Sequence, residues 1–303
     1  MRFLKDFDLV IEEYEANYVD AIYKEINAIS EMTYRENCFL NGLVRYFRPK
    51  KIIEIGVAAG GSTCVLLNAI KDNPESIVHS IDWSGQYYRQ TSKISGWKAK
   101  ELFPNSPQLN LYLGVDVAEI IEEQIKGDID FLLLDTVHRH PAETLSFLSV
   151  FPYLRNNAIV VLHDVNLFAK EQSRHYATKL LLDIVVADKK TLRVFSNDYE
   201  HPNIAAFQVS EDTGKYIADV VNSLLFPWEF EIPERILKAT GHIIKAKYPS
   251  YLYDQFSKST LQNNNMLKQK LRRVKRDLLE ICLMCIPSSI ERIIKNFRKQ
   301  IAK

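Results

Sequence analysis

The chain predicts an α/β protein: a doubly wound, mostly parallel seven-stranded sheet with an antiparallel last strand, helices in front of it and a basic helical tail behind. Three observations carry this. From residue 50 onward short apolar runs alternate with helical segments, as in "KIIEIG" before "STCVLLNAI" and "IDFLLLD" before "PAETLSFLSV". The runs are apolar throughout, which suits strands covered on both faces by helices. The last two, "LRVFS" and "IAAFQVS", come with no helix between them and so pair antiparallel.

The elements follow in order. Leu9, Ile11, Tyr14, Tyr18, Ile22 and Ile26 recur at helical spacing, and "NCFLNGLVRYF" predicts a second helix that Arg48-Pro49 stops. "KIIEIG" is the first strand, and Ser62 is available to cap the helix after it. "SIVHSID" is the second strand and leads to an aromatic helical stretch. "NLYLG" leads to "VAEIIEEQI", "IDFLLLD" to "PAETLSFLSVFPYL", and "AIVVLHD" to "FAKEQSRHYATKLLLDIVV". After Phe226 the composition shifts to Pro and aromatics, and "STLQNNN" reads as a polar linker. Leu267, Leu271, Val274, Leu278, Ile281 and Cys285 then form an a/d seam of about two and a half heptads. That seam fits equally a short coiled coil or a helix packed on its own domain. A last helix starts at Pro287-Ser288. The expected divisions are an N-terminal helical cap (1–49), a ligand-binding domain (50–225), an aromatic and Pro-rich extension (226–262) and a basic amphipathic tail (263–303).

Composition narrows the class. Hydrophobic residues at 47% and charged ones at 25% describe an ordinary globular chain. No apolar run approaches the ~20 residues that span a bilayer, and "MRFLKDFDLVIEEYE" lacks the apolar core of a secretion signal. Four cysteines in 303 residues make no disulfide framework, so a cytoplasmic location is the expectation. Cys282 and Cys285 form C-x-x-C within a helix with no second pair, which argues against zinc or redox roles. The net charge of +1 hides an asymmetry. Residues 258–303 hold twelve Lys/Arg against three acids, or +9, which leaves −8 on the rest. A solvated basic face and contact with an anionic membrane surface both fit such a tail.

The stretch "EIGVAAGGS" is the most informative. It puts an acid, Glu54, inside a buried strand, and then Gly56, Gly60 and Gly61 at a helix start. In parallel sheets ligands bind beyond the carboxyl ends of the strands, where glycine lets backbone approach closely and helix N–H groups meet an anionic group. The order G-V-A-A-G-G is not the G-x-G-x-x-G of dinucleotide sites. Asp82 ends the second strand 28 residues after Glu54, where an acid commonly accepts ribose hydroxyls, and Asp116 follows the third, in reach of an adenine amine. A second set lies at the next two tips. Asp135 ends the fourth strand with His138 three residues on, and His163-Asp164 ends the fifth. Carboxylates that converge there repel each other unless a hard divalent cation joins them. Such a cation lowers the pKa of a bound hydroxyl, whose proton His138 is suited to take.

Together these residues resemble the class I S-adenosylmethionine methyltransferases, over residues 30–210, and "EIGVAAGGS" resembles most the metal-dependent, catechol O-methyltransferase-like group. The resemblance implies a Rossmann-like methyltransferase fold. It implies a cofactor set of Glu54, Gly56, Gly60, Ser62, Asp82, Trp83, Asp116 and Asp135, with residues 30–33 ("SEMT") closing over it. It further implies metal ligation by Asp135 and Asp164, with His163, Asn166 or water in a third position, since Val165 stands where the family has Asn or Asp. His138 falls on the family's catalytic base, with Asp135 beside it, and the metal is expected to be magnesium. The D-x-x-H and H-D pattern is nearer to sugar and natural-product methyltransferases than to the catechol enzyme. His140 and His175 are read as ordinary histidines.

The expected function is therefore S-adenosylmethionine-dependent O-methylation of a hydroxyl, on a glycan or glycolipid precursor, with metal assistance. A small phenolic or polyketide acceptor is the second choice, and a non-catalytic S-adenosylmethionine-binding scaffold is the rival from another class. Nucleic acid is disfavoured as partner because the body is acidic. Peripheral contact with the inner membrane surface through the tail and homo-oligomerisation both remain open.

Overall fold

A computed structural model describes residues 2–7, 18–167, 175–192 and 203–284, with backbone alone for 267–273 and 275–284. Seven strands form one sheet: β1 (Lys51–Ile55), β2 (Ile77–Asp82), β3 (Leu109–Leu113), β4 (Ile129–Leu134), β5 (Leu154–His163), β6 (Asp188–Thr191) and β7 (Ile204–Gln208). The spatial order is β3-β2-β1-β4-β5-β7-β6, and β7 runs antiparallel to both of its neighbours. β1 lies between β2 and β4, so the chain reverses its direction of winding there and leaves a crevice at the strand tips.

Successive side chains of a strand point to opposite faces, and both faces are buried. Ile52, Val78, Phe131, Leu133, Val161 and Ala206 face one core with helices α1 (Val19–Ile26), α2 (Tyr34–Phe47) and α3 (Gly61–Ile70). Ile53, Ile81, Leu132, Leu134, Leu162 and Phe207 face the other. That side is covered by α5 (Val117–Ile120), α6 (Ala142–Val150), α7 (Ala177–Ile184), α9 (Ile217–Asn222), α10 (Glu234–Lys247) and the start of α11 (Ser250–Met284). Two shorter helices are α4 (Trp97–Leu102) and α8 (Glu211–Lys215).

Three expectations change. The sixth strand is Asp188–Thr191, just before "LRVFS"; residues 193–196 of that run lie outside the described residues. As an edge strand with solvent on one side it carries Asp188, Lys189 and Lys190 rather than an apolar run, and charge of this kind blunts edge pairing. The cap of α3 is Gly60 in the left-handed region, because the Ser62 hydroxyl is engaged elsewhere. "STLQNNN" is not a linker: α11 runs through it. Its polar side chains satisfy backbone groups in the interior. Asn263 accepts from Trp228 N at 2.8 Å and donates to Leu224 O and Ser259 O at 3.1 Å each. The extension therefore joins the main core through Trp228, Ile236, Ile244, Tyr248 and Phe256. Of the seam in α11 the Val274 side chain is described, and it is exposed; Cys285 and the helix expected from Pro287 lie outside the described residues.

The loop between β1 and α3 is fixed from beneath. Glu54 is fully buried, opposite Ser80 in the β1–β2 register. It accepts hydrogen bonds from Ser62 Oγ (2.5 Å), Thr63 Oγ1 (2.6 Å) and Ser80 Oγ (2.5 Å), tying the helix start to two strands. The glycines are needed by protein neighbours. A Cβ on Gly56, at φ +93°, would lie 1.7 Å from the Asp135 carbonyl oxygen; one on Gly60, at φ +94°, would lie 3.1 Å from the Gly96 Cα.

Two stability predictions follow from these contacts. Asn263→Ala strands the buried Trp228 N–H, and urea unfolding should report a loss of about 2 kcal/mol; a cost near zero would mean that α11 does not hold the extension. Burial raises the Glu54 carboxyl from its ordinary 4.5 to about 7, against the pull of its three hydroxyl donors. Across that window the folded chain keeps a proton that the unfolded chain has lost, so stability falls as pH rises through it. Glu54→Gln should remove on the order of 3 kcal/mol from the stability difference between pH 4.5 and 8. Equal pH slopes in the two proteins would assign the effect to other groups.

Candidate active site

A cleft of about 970 Å³ opens at the tips of β1, β2, β4 and β5. Of the residues expected to bind a cofactor, Gly56, Asp82, Trp83, Asp116 and Asp135 line it. Glu54, Gly60 and Ser62 do not. Glu54 and Ser62 form the buried knot under the loop, Gly60 packs against Gly96 and Ala99, and Ser62 also borders a minor recess with Ser30. Their part is to shape the loop, because parity along β1 sends Glu54 to the face opposite Ile53 and Ile55.

Asp82 fastens the loop to the tip of β2. Its Oδ2 accepts from Val57 N (3.1 Å) and Ala58 N (3.2 Å), its Oδ1 from Ser84 N (2.9 Å), and burial raises its pKa. Asp116 caps α5: its Oδ1 accepts from Ala118 N at 2.9 Å, while Glu119 reaches back to Asp116 N at 2.8 Å. Burial raises Asp116 to about 6. Beside them stand Trp83 and, from the extension, Phe230, edge to face with ring centroids 6.2 Å apart. Residues 30–33 form part of the opposite wall. Ser30 packs on Gly61, Glu31 and Thr33 face the cleft, and Glu31 meets Arg89 (2.6 Å) and Tyr88 (2.8 Å) across it.

The far end of the cleft holds the second set. Asp135, His138 and Asp164 each offer one ligand atom, all within 4.8 Å of one another. His138 Nε2 lies 3.0 Å from Asp164 Oδ2 and 3.5 Å from Asp135 Oδ1. On its other side Nδ1 is 3.4 Å from Glu143 Oε1, which also accepts from His138 N at 2.7 Å and Thr136 Oγ1 at 2.8 Å. Burial pulls the His138 pKa down, but the bonds and charges of Asp164, Glu143 and Asp135 outweigh it and raise it to about 10. Burial likewise pushes Asp164 up, and is outweighed by His138 and His163, which hold it at about 2. His138 and Asp164 sit at φ +56° and +59°, the left-handed region that non-glycine residues seldom occupy and that concentrates at functional sites.

His163 is not in the converging group. It points to the α1–α3 side of the sheet, 1% exposed, with Nδ1 3.0 Å from Asp135 Oδ1 and Nε2 3.7 Å from Glu36 Oε2. Burial opposes its charged form, yet the surrounding carboxylates raise its pKa well above normal. The expected ligand thus stands behind Asp135, with Nδ1 also 3.6 Å from Asp164 Oδ2. Val165 is buried in the core, and neither it nor His163 completes the set. The amide that reaches Asp164 is Asn203, at the start of β7, whose Nδ2 donates to Asp164 Oδ1 while its Oδ1 accepts from Asn166 N at 2.8 Å. His140 is fully buried against Phe226 and does not line the cleft, whereas His175 does, accepting from Arg139 Nε at 3.2 Å.

Sequence reasoning missed Glu36, Glu143, Asn203 and Phe230. Glu36 had a signal: "TYRE" is a capping box, and Thr33 N and Oγ1 both donate to Glu36 Oε2 at 2.7 and 2.9 Å. Glu143 lies in the first turn of α6. Asn203 and Phe230 had none, since each enters from a distant segment.

Comparison with known proteins gives one family match: residues 53–165 match the family described as "Methyltransferase domain". A search among curated proteins gives no match. Among solved structures, the chain is similar to an O-methyltransferase from Bacillus cereus in complex with SAH (17% identity, 66% of this chain and 100% of that chain, TM-score 0.49). It is also similar to the O-methyltransferase TomG from Streptomyces achromogenes, involved in tomaymycin synthesis and solved in complex with SAM (15% identity, 64% and 90%, TM-score 0.48). SAH-bound methyltransferase PaMTH1 from Podospora anserina is a third (15% identity, 64% and 88%, TM-score 0.47). The matched segment holds Glu54, Asp82, Asp116, Asp135, His138 and Asp164.

Proposed function

We propose that this protein transfers the methyl group of S-adenosylmethionine to a hydroxyl oxygen held beside Asp135, His138 and Asp164. The observation that carries this is the opening of both residue sets into one cleft: Asp82 and Asp116 after β2 and β3, Asp135, His138 and Asp164 after β4 and β5, with Gly56 between them against Asp135. At about 970 Å³ the cleft sits at the upper end of the ~300–1,000 Å³ usual for ligand sites, which supports joint occupancy by a nucleoside cofactor and a small acceptor.

The cluster suits a divalent cation. The carboxylates of Asp135 and Asp164 form an oxygen donor pair suited to magnesium or manganese, with His138 beside them. A cation bound there supplies Lewis-acid polarisation of the acceptor hydroxyl. The chain's own residues do the rest. Asp135 and Asp164 fix the donor geometry, Asn203 and His163 hold those two carboxylates in place, and Glu143 fixes the loop that presents His138. Beside a cation held by Asp135 and Asp164 the His138 pKa would fall, and His138, left uncoordinated, would then take the hydroxyl proton at Nε2. Methyl transfer itself then depends on holding sulfur, carbon and oxygen in line.

The acceptor class we favour is a sugar hydroxyl. The wall around the cluster is polar, with Thr33, Glu36, Arg139, His175 and Asn203, while Trp83 and Phe230 stand at the other end. Among the described residues, the aromatic rings that line the cleft are Trp83 and Phe230, which meet edge to face, and Tyr88, which donates to Glu31 at 2.8 Å. The basic tail gives a reason to test membrane-bound acceptors, although residues 285–303 lie outside the described residues. No described helix is long and apolar enough to cross a membrane.

Calorimetric titration of the purified protein with Mn²⁺ should give one site, Asp164→Asn should abolish it, and methyl transfer should stop in excess chelator. Undiminished transfer in chelator would reject the cation. His163→Asn, which leaves all three converging groups in place, should weaken Mn²⁺ binding about 10- to 100-fold, as loss of an outer-sphere partner does. Unchanged Mn²⁺ affinity would mean that His163 does not set the position of Asp135.

A further inference from the structure

The cleft-facing residues of the C-terminal extension stand with Trp83 and Asp116. Phe230, Ile232 and Ile236 line the cleft there together with Val115 and Val117. Phe230 meets the Trp83 indole edge to face. Ile232 and Ile236 are buried, and the extension is anchored in the main core by Trp228, which is 1% exposed.

A latch joins this wall to a cofactor-facing acid. Arg235 pairs with Glu119, and the same Glu119 oxygen accepts from Asp116 N at 2.8 Å. The segment that carries Phe230 thus touches Glu119, which in turn holds the backbone N–H of Asp116, the cap of α5. The matched methyltransferase segment ends at residue 165, so none of the extension belongs to it.

We propose that residues 230–236 complete the nucleoside half of the cofactor site, with Phe230 supplying an aromatic wall for the base opposite the apolar side chains of α5 and Arg235 holding that wall against Asp116. An apolar slot bounded by Trp83 and Phe230 and edged by Asp82 and Asp116 matches a purine nucleoside, whose base stacks and whose hydroxyls and amine donate to carboxylates. The amino-acid end of the cofactor, lying toward Gly56 and Asp135, makes no use of the extension. The inference rests on the methyltransferase reading and is tested apart from it.

The experiment is a binding titration of the full chain with S-adenosylhomocysteine and with 5′-methylthioadenosine, which keeps the nucleoside and lacks the amino-acid group. Phe230→Ala should weaken both ligands by a similar factor, roughly tenfold for a lost stacking partner, while Mn²⁺ affinity stays as in the wild type. Phe230→Tyr, which keeps the ring, should restore binding. Arg235→Gln, at an exposed ion pair, should cost no more than about fivefold. Unchanged nucleoside affinity in a folded Phe230→Ala protein, or a loss confined to S-adenosylhomocysteine, overturns the assignment. If the wild-type chain binds neither nucleoside, the methyltransferase reading itself fails, and that result is distinct from a failure of Phe230.

Discussion

The approach of β1 to β4 at the Gly56–Asp135 contact is the constraint on which the site depends. The Asp135 carbonyl occupies the space a side chain would take at Gly56, so the fourth strand tip is drawn against the loop of the first. Asp135 N donates to Ile55 O at 2.9 Å and Gly56 N to Ile81 O at 2.9 Å, which locks three tips together. Beneath them Glu54 draws hydroxyls from β2 and α3 into the same knot. Burial there favours the protonated carboxyl, and three hydroxyls give its oxygens partners. The consequence is a rigid floor on which Asp82, Asp135 and the loop backbone keep fixed relative positions, as methyl transfer by positioning requires.

Charge governs the far end of the cleft. Glu36, His163, Asp135, His138, Asp164 and Glu143 form a continuous series of acid and imidazole contacts from α2 to α6. Four carboxylates face two imidazoles. Even with both imidazoles cationic the series holds an excess of negative charge, which explains why His138 and His163 are driven toward their protonated forms and why the opening between Asp135, His138 and Asp164 suits a positive ligand. Glu36 gives this series a second effect: the same residue caps α2 beside Thr33, so the wall formed by residues 30–33 is mechanically joined to Asp135 through His163.

Much of this was legible in the residues. Continuous apolar runs, glycines at a strand–helix junction and acids at successive tips are local patterns, and the sheet, the loop and the approximate places of Asp82, Asp116, Asp135 and Asp164 follow from them. That His163 stands behind Asp135, outside the group formed by Asp135, His138 and Asp164, was not legible. One-residue parity along β5 decides which face His163 takes, and the position of a loop residue such as His138 depends on Glu143, which only packing brings near. Asn203 illustrates the same point, since β7 must fold back beside β5 before its amide can reach Asp164. The polar run "STLQNNN" read as a linker because its inward hydrogen bonds to Trp228 and Leu224 are invisible to composition.

Local patterns in the chain suffice for the α/β class, the parallel pairing of buried strands and the chemistry of the acids at their ends, because strand periodicity and glycine's tolerance of positive φ act within a few residues. Tertiary structure alone decided which groups share the cleft: that Glu54 lies below it, that His163 stands behind Asp135, and that Phe230, nearly 150 residues after Trp83, faces the same slot. Those outcomes turn on long-range packing of buried surfaces, which no local pattern encodes.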